Sequence, residues 1–315
     1  MKIVILEAEA IRTDDNSWAR LCQLADVDIY AYTKTDEVIP RLKDADGVLT
    51  NKVVIDGKVM DQLPRLKYIG VLATGYNVVD TEAASRRGIV VTNIPSYSTY
   101  SVAQMVWAHL LNITNRVGYY AEQNRNGRWY EQDYFCYYDF NHQELYGQTF
   151  GIAGLGNTGM AVARIALAFG MKVIAYTSKK ELPEGITSVS MDRLFAESDV
   201  LSLNCPLTPE THHLVNRSRL HTMKPTAILI NTSRGPVIDE EAVAEALNDG
   251  TIAAFGCDVL SYEPARTDNP LLKARNSFTT PHIAWATLQA RERLISICTD
   301  NVEAFIKGRP INQVN

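Results

Sequence analysis

Short apolar runs, bounded by polar residues or by Gly and Pro, recur along this chain with helical patterns between them. Over residues 1–100 the runs are KIVIL, VDIYAY, GVLT, KYIGVL and GIVVTN. Continuous apolar runs of that length are typical of parallel strands covered on both faces. The segment Thr81-Glu82-Ala83-Ala84-Ser85-Arg86-Arg87-Gly88 ends one of the intervening helices, so the region predicts a complete α/β layer. Ile94-Pro95-Ser96-Tyr97-Ser98 breaks the pattern. One long helix is then predicted from Ser101 to about Asn126, on the 3.6-residue spacing of Val102, Met105, Val106, Leu110, Ile113 and Val117. Ser101 is its expected N-cap and Asn126-Gly127 its stop. The aromatic-rich WYEQDYFCYYDF that follows has no period and is expected to be an irregular covering loop.

A second α/β series starts at Thr149, with strands expected at TFGIAGL, KVIAY, DVLSLN, AILIN, AAFGCDV and SFTTP. A last helix, roughly Leu288 to Lys307, is expected to return to the first layer. The fold class is therefore α/β with two doubly wound parallel-sheet domains, one Rossmann-type and one flavodoxin-like. The expected boundaries are 1–100 with 286–315 for one domain and 101–285 for the other.

Composition changes this picture little. The 315 residues are 46% hydrophobic and 21% charged, ample for two cores. A net charge of -5 argues against a nucleic-acid partner or an anionic membrane surface. The five cysteines, Cys22, Cys136, Cys205, Cys257 and Cys298, are scattered and form no CxxC pair. They read as thiols of a reduced, cytoplasmic protein with no zinc site. The run KIVIL is followed by Glu7 and Glu9 and is too short for a signal peptide, and no stretch approaches a membrane span. No His/Asp/Glu cluster has metal-ligand spacing, so a metallohydrolase is disfavoured.

Candidate chemistry collects at the carboxyl ends of the second series of strands, where open parallel sheets bind ligands. There stand Gly154-Leu155-Gly156-Asn157-Thr158-Gly159, then Thr177-Ser178-Lys179-Lys180, then Cys205-Pro206-Leu207-Thr208. Thr232-Ser233-Arg234-Gly235, Asp258 and Pro281-His282 complete the set. The glycine pattern follows a buried strand and opens a helix, the context that makes it a dinucleotide signature. Gly154 permits the tight turn, Gly156 lets backbone amides approach a pyrophosphate, and Gly159 allows close helix packing. Arg234 can fork onto a carboxylate. His282 alone among six histidines ends a buried strand of this series and can move a proton near neutral pH. Glu263 is a candidate carboxylate beside it. An acid that would hold the ribose hydroxyls is missing at Thr177; a hydroxyl with Lys179 and Lys180 suits a 2′-phosphate, and the alternative is that both lysines are solvated turn residues while Thr177 still bonds an NAD ribose.

The chain resembles the D-isomer-specific 2-hydroxyacid dehydrogenases in GVLATGYNVVD (70–80), GLGNTG (154–159), NCPLTPET (204–211), NTSRGPVIDE (231–240), CDVLSYEP (257–264) and TPHIAWAT (280–287). The resemblance covers nearly the whole length, and within the family it is most similar to the glycerate dehydrogenases, or hydroxypyruvate reductases. It implies hydride transfer between NAD or NADP and a small 2-keto or 2-hydroxy acid. It further implies that His282 donates the proton, Glu263 orients it, and Arg234 binds the substrate carboxylate. Backbone amides of Leu72-Ala73-Thr74-Gly75 would grip the same carboxylate. Leu155 to Thr158 would meet the pyrophosphate. Thr177, Ser178, Lys179, Cys205, Pro206, Thr232, Ser233 and Asp258 would line the rest of the cofactor, Asp258 accepting from the carboxamide. A cleft between two domains and a homodimer built on the helix after Ile94-Pro95 are also implied. Gln104 departs from the acid common at that point of the family pattern. The rival readings are the same fold acting on D-lactate, phosphite, formate or phosphoglycerate, and a non-catalytic NAD(H)-sensing module.

Overall fold

A computed structural model describes residues 1–14 and 17–315. The chain divides into two compact units, residues 1–98 with 285–315 and residues 99–284.

In the first unit the apolar runs form β1 (Lys2–Ile5), β2 (Asp26–Ile29), β3 (Gly47–Thr50), β4 (Tyr68–Val71) and β5 (Val90–Thr92). They pair in parallel in the order β2-β1-β3-β4-β5, the flavodoxin-like winding. The central strands β3 and β4 are buried at every position because helices cover both faces. Those helices are α1 (Ala19–Leu24), α2 (Val38–Leu42), α3 (Gly57–Asp61) and α4 (Thr81–Arg86). Asp56 and Asp80 cap α3 and α4 by accepting from the amides of Val59 and Ala83. At the edge, β2 alternates DVDI and leaves Asp26 and Ile29 exposed.

The second unit opens with a difference from the sequence expectation. Instead of one long helix there are two, α5 (Thr99–Asn115) and α6 (Val117–Arg125). Arg116 between them sits in the left-handed region at φ 50°. Its guanidinium lies 4.0 Å over the Phe140 ring and reaches Asn276 Oδ1 at 3.1 Å. Ser101 lies inside the first helix rather than at its cap, and its hydroxyl donates to the Ala284 carbonyl. Asn126 is the C-cap of α6, followed by Gly127 at positive φ.

The seven strands that follow are β6 (Thr149–Ala153), β7 (Lys172–Tyr176), β8 (Ile186–Ser188), β9 (Val200–Leu203), β10 (Ile228–Asn231), β11 (Ala254–Cys257) and β12 (Ser277–Thr279). Their order, β12-β11-β10-β9-β6-β7-β8, is entirely parallel and reverses direction at β6. That is the dinucleotide-fold winding with one strand added. The covering helices are α7 (Asn157–Ala168), α8 (Met191–Glu197), α9 (Arg217–Leu220) and α10 (Glu240–Asp249). Trp107 of α5 stacks on Phe150 and Phe169 at centroid distances of 5.5 and 4.6 Å, fixing that helix against the sheet. Asp239 caps α10 and Ser190 caps α8.

The final helix α11 (Leu288–Ile306) belongs to the first unit. Leu294, Ile295, Cys298 and Val302 share a core cluster with Ile3, Ile5 and Tyr68. No described helix is long and apolar enough to cross a membrane.

Candidate active site

The second sheet aligns three strand ends. Asn231 of β10 lies opposite Cys257 of β11, and Cys257 opposite Thr279 of β12. The turns carrying Arg234, Asp258 and His282 therefore leave the sheet level with one another, on strands about 4.8 Å apart.

Each turn is fixed by a buried or half-buried polar side chain. Asn231, fully buried, accepts from the Ser233 amide at 3.0 Å and its hydroxyl at 2.8 Å, and donates to the Arg234 carbonyl at 2.9 Å. This shapes the turn from which the exposed Arg234 side chain extends, its Nη1 donating to the Ser233 carbonyl at 2.6 Å. Glu240, at the start of α10, accepts from the Ser261 amide at 2.7 Å and from Asn269 Nδ2 at 2.9 Å. It braces the loop that presents Glu263. Asp258, 1% exposed, accepts from the Thr280 hydroxyl at 2.6 Å, the Ile283 amide at 2.9 Å and the Ala284 amide at 2.7 Å.

Those contacts bring Glu263 and His282 together. Glu263 Oε2 is 2.6 Å from His282 Nδ1, and its Oε1 accepts from the Leu260 amide at 3.0 Å. A carboxylate can only accept, so the shared proton lies on Nδ1 and leaves Nε2 as the outward, proton-exchanging atom. His282 holds φ 53°, a left-handed conformation uncommon for histidine. Such backbone persists only where its surroundings determine it, here the Asp258 carboxylate gripping the next two amides.

At the switch between β6 and β9 the residues fit a dinucleotide. Gly154 has φ 94°, and a Cβ there would lie 2.9 Å from the Asn204 backbone. At Gly159 a Cβ would fall 2.2 Å from the Gly154 carbonyl oxygen, so the helix can approach the strand only without a side chain. Around Gly156 the space is open, with nothing within 4 Å of a built Cβ. The first turn of α7, which begins at the exposed Asn157, presents its amides at that end of the helix. At the strand ends Asn204 Oδ1 and Thr232 Oγ1 are buried without a partner among the described residues. Buried polar atoms are rarely left so, and these two stand just past the paired ends of β9 and β10, where a polar ligand could satisfy them. Cys205 is half-buried, and burial pushes its thiol up from its ordinary value. Beside it Thr211 accepts from the Thr208 amide at 2.7 Å and donates to the Pro206 carbonyl at 2.6 Å, shaping that loop. Leu155 is buried and Thr158 half-buried, so the strand end and helix start hold the loop between them.

Past β7, Thr177 Oγ1 accepts from the Lys179 amide at 3.2 Å, while Ser178, Lys179 and Lys180 are exposed. Among the described residues neither lysine has an acidic partner.

In the first unit, Leu72 departs from its expected role. Its amide donates to the Thr50 carbonyl at 2.8 Å, extending the β3–β4 ladder, so it is spent. Among the described residues the amides of Ala73, Thr74 and Gly75 meet no acceptor. The loop is held by other atoms, the Ile94 amide donating to the Ala73 carbonyl at 3.0 Å and the Thr74 hydroxyl to the Ile94 carbonyl at 2.8 Å. The aromatic segment after α6 also differs from a packed cover, since Tyr130, Tyr134, Phe135 and Tyr138 are all exposed. Of the side chains that organise the site, Asn231, Glu240 and Thr280 gave no sequence signal of that role. All three do lie inside the NTSRGPVIDE and TPHIAWAT stretches, Asn231 and Glu240 at the two ends of the first.

The model of the family described as D-isomer specific 2-hydroxyacid dehydrogenase, NAD binding domain, matches residues 107–284. The chain belongs to the D-isomer-specific 2-hydroxyacid dehydrogenases. It is similar over its full length, and the full length of the relative, to a hydroxypyruvate reductase of Blautia hydrogenotrophica, at 44% identity. A glycerate dehydrogenase of Methylorubrum extorquens is 40% identical over 89% of this chain and 88% of its own. The crystal structure of the TT0316 protein of Thermus thermophilus superposes with a TM-score of 0.90 at 36% identity, covering 100% of both chains. This dehydrogenase is thus an NAD- or NADP-dependent oxidoreductase acting on the CH–OH group of 2-hydroxy acids.

Proposed function

We propose that this dehydrogenase reduces hydroxypyruvate to D-glycerate, with His282 as proton donor. The observation that carries the mechanism is the 2.6 Å Glu263–His282 hydrogen bond at the end of β12, on a turn level with Arg234. The substrate reading draws on the names of the two relatives, a hydroxypyruvate reductase and a glycerate dehydrogenase.

The nicotinamide supplies the hydride when the cofactor is bound. His282 delivers a proton from Nε2 to the keto oxygen as negative charge grows there. Glu263 holds Nδ1–H, fixes the ring orientation and stabilises the imidazolium before transfer. The Arg234 guanidinium is assigned to the substrate carboxylate. In the first unit, the amides of Ala73, Thr74 and Gly75 are assigned to a carboxylate as well. Leu155, Gly156, Asn157 and Thr158 are assigned to the pyrophosphate, and Thr177, Ser178, Lys179, Cys205, Pro206, Thr232, Ser233 and Asp258 to the rest of the cofactor. Asp258 Oδ2 carries one donor and keeps a lone pair for the carboxamide. Residues 99–284 are accordingly the cofactor domain and the first unit the substrate domain.

The test is the loss of reduced-nicotinamide absorbance with hydroxypyruvate, beside glyoxylate and pyruvate. Hydroxypyruvate is expected to give the highest kcat/KM of the three. A higher value for either of the others would reassign the substrate. Run with both cofactors, the assay also addresses the missing acid. The exposed Lys179 and Lys180, without an acidic partner among the described residues, support NADPH. Thr177→Asp would place a negative charge where a 2′-phosphate must sit, so the NADPH/NADH ratio is expected to fall about tenfold or more. An unchanged ratio would reduce the lysines to surface charge.

A homodimer is part of the same proposal. Trp129, Tyr130, Tyr134, Phe135 and Tyr138 expose large apolar rings in one short segment, the kind of patch that marks an interface. Light scattering is expected to give twice the 35.1 kDa chain mass, and Phe135→Glu to lower it toward the monomer. A single-chain mass for the parent would remove the dimer. The cysteines are free thiols, which supports a cytoplasmic location.

A further inference from the structure

His109 is a buried titratable side chain of the second unit that none of the chemistry above uses. It lies on α5 and is only 5% exposed. Its Nε2 is 3.1 Å from Thr280 Oγ1, and that hydroxyl is 2.6 Å from Asp258 Oδ1. Asp258 in turn accepts from the amides of Ile283 and Ala284. We propose that His109, acting through Thr280 and Asp258, is a positioning residue for the backbone that presents His282.

The direction of the chain follows from donor inventory. A carboxylate only accepts, so the single hydroxyl proton of Thr280 points at Asp258. Thr280 Oγ1 must then accept from His109, which fixes the ring as the Nε2–H tautomer. Burial holds His109 below its ordinary value, against the opposing pull of the Asp258 charge, which favours the neutral ring. Strand β11 makes room for it. At Gly256 a Cβ would lie 2.9 Å from His109 Cβ and 3.1 Å from Nδ1, so a side chain on the strand would push the ring off Thr280.

The far end of the chain is where position matters. His282 stands between Pro281 and Ile283 at φ 53°, a conformation the loop would not hold unaided. Its own amide donates to the Thr280 carbonyl at 3.0 Å. Thr280 thus touches His282 through its backbone and Asp258 through its side chain. His109 anchors that hydroxyl from the helix side. Hydrogen bonds in series strengthen one another and narrow the geometry of each.

The inference rests on His282 being the proton donor. The experiment uses the full-length enzyme, reduced cofactor and whichever 2-keto acid the parent reduces fastest. His109→Met keeps bulk and removes the donor. His109→Gln keeps an N–H near the Nε2 position. His109→Met is expected to lower kcat about tenfold, mid-range for groups in one hydrogen-bonded network, with KM for the cofactor within about twofold. His109→Gln is expected to recover most of that loss. Thr280→Val should match His109→Met, and the double variant should fall no further than either alone. The ring nitrogen resonances of His109 should place the proton on Nε2. Equal losses in the Met and Gln variants would overturn the proposal in favour of simple packing. So would an unchanged kcat in His109→Met, an additive double variant, or a proton on Nδ1. His282→Asn run in parallel separates the two levels. Retained turnover there refutes the proton-donor reading itself. Lost turnover there with a fully active His109→Met refutes the positioning role alone.

Discussion

Replacing His282 by Asn is expected to lower kcat by about 10²–10⁴, the usual contribution of a positioned acid or base. Asn is the informative choice because the backbone there holds φ 53°, which Asn tolerates better than Ala or a branched residue. The ring is removed while the turn stays, so the thermal midpoint and the cofactor KM should change little. Steady-state kinetics on the folded variant gives the answer. A kcat within tenfold of the parent would mean that another group protonates the keto oxygen. Glu263→Gln should cause a smaller fall, since it leaves the imidazole in place and removes the charge that orients it.

Asp258→Ala is expected to cost stability as well as activity. Three donors converge on that carboxylate, from Thr280, Ile283 and Ala284. The Thr280 hydroxyl has an alternative acceptor in the Cys257 carbonyl at 3.3 Å. Among the described residues the two amides have no other acceptor. At about 1–3 kcal/mol for each buried donor left unmatched, the second unit should lose roughly 2–6 kcal/mol. Urea unfolding should show a lower midpoint at unchanged slope. An unchanged midpoint would mean that the loop around His282 keeps its shape without the carboxylate.

What the sequence reveals and what it hides have separate physical causes. Buried parallel strands announce themselves as apolar runs, and β3, β4, β9 and β10 are buried at every position. The three-residue β8, with Thr187 and Ser188 exposed, carries no such run and gives no signal. The break at Arg116 is equally silent. Neither Pro nor Gly marks Asn115-Arg116-Val117, and the apolar period continues through it. The interruption comes from where the guanidinium goes, over Phe140 and onto Asn276, which are distant in sequence.

The same distinction runs through the site. Arg234, Glu263 and His282 stand out because their chemistry is unusual at a strand end. That Glu263 lies against His282 is a fact of folding, not of spacing. Asn231, Glu240 and Thr280 are ordinary polar residues whose importance exists only through their hydrogen-bond partners. The family resemblance assigns Asp258 to a carboxamide, and the structure adds a role that no spacing announces, since both of its oxygens also hold the loop that carries His282. It assigns the Leu72 amide to a carboxylate, yet register with Thr50 claims that amide for the sheet.

The discontinuity of the first unit sets an order of events during synthesis. Residues 1–98 leave the ribosome with one wall of their sheet incomplete, because Trp18 and Leu21 are present but Leu294, Ile295, Cys298 and Val302 arrive only after residues 99–284 have been made. The second unit is continuous and emerges without a missing segment. The nascent chain therefore matures from its middle outward, with the face of β1 and β4 only partly covered until α11 is released.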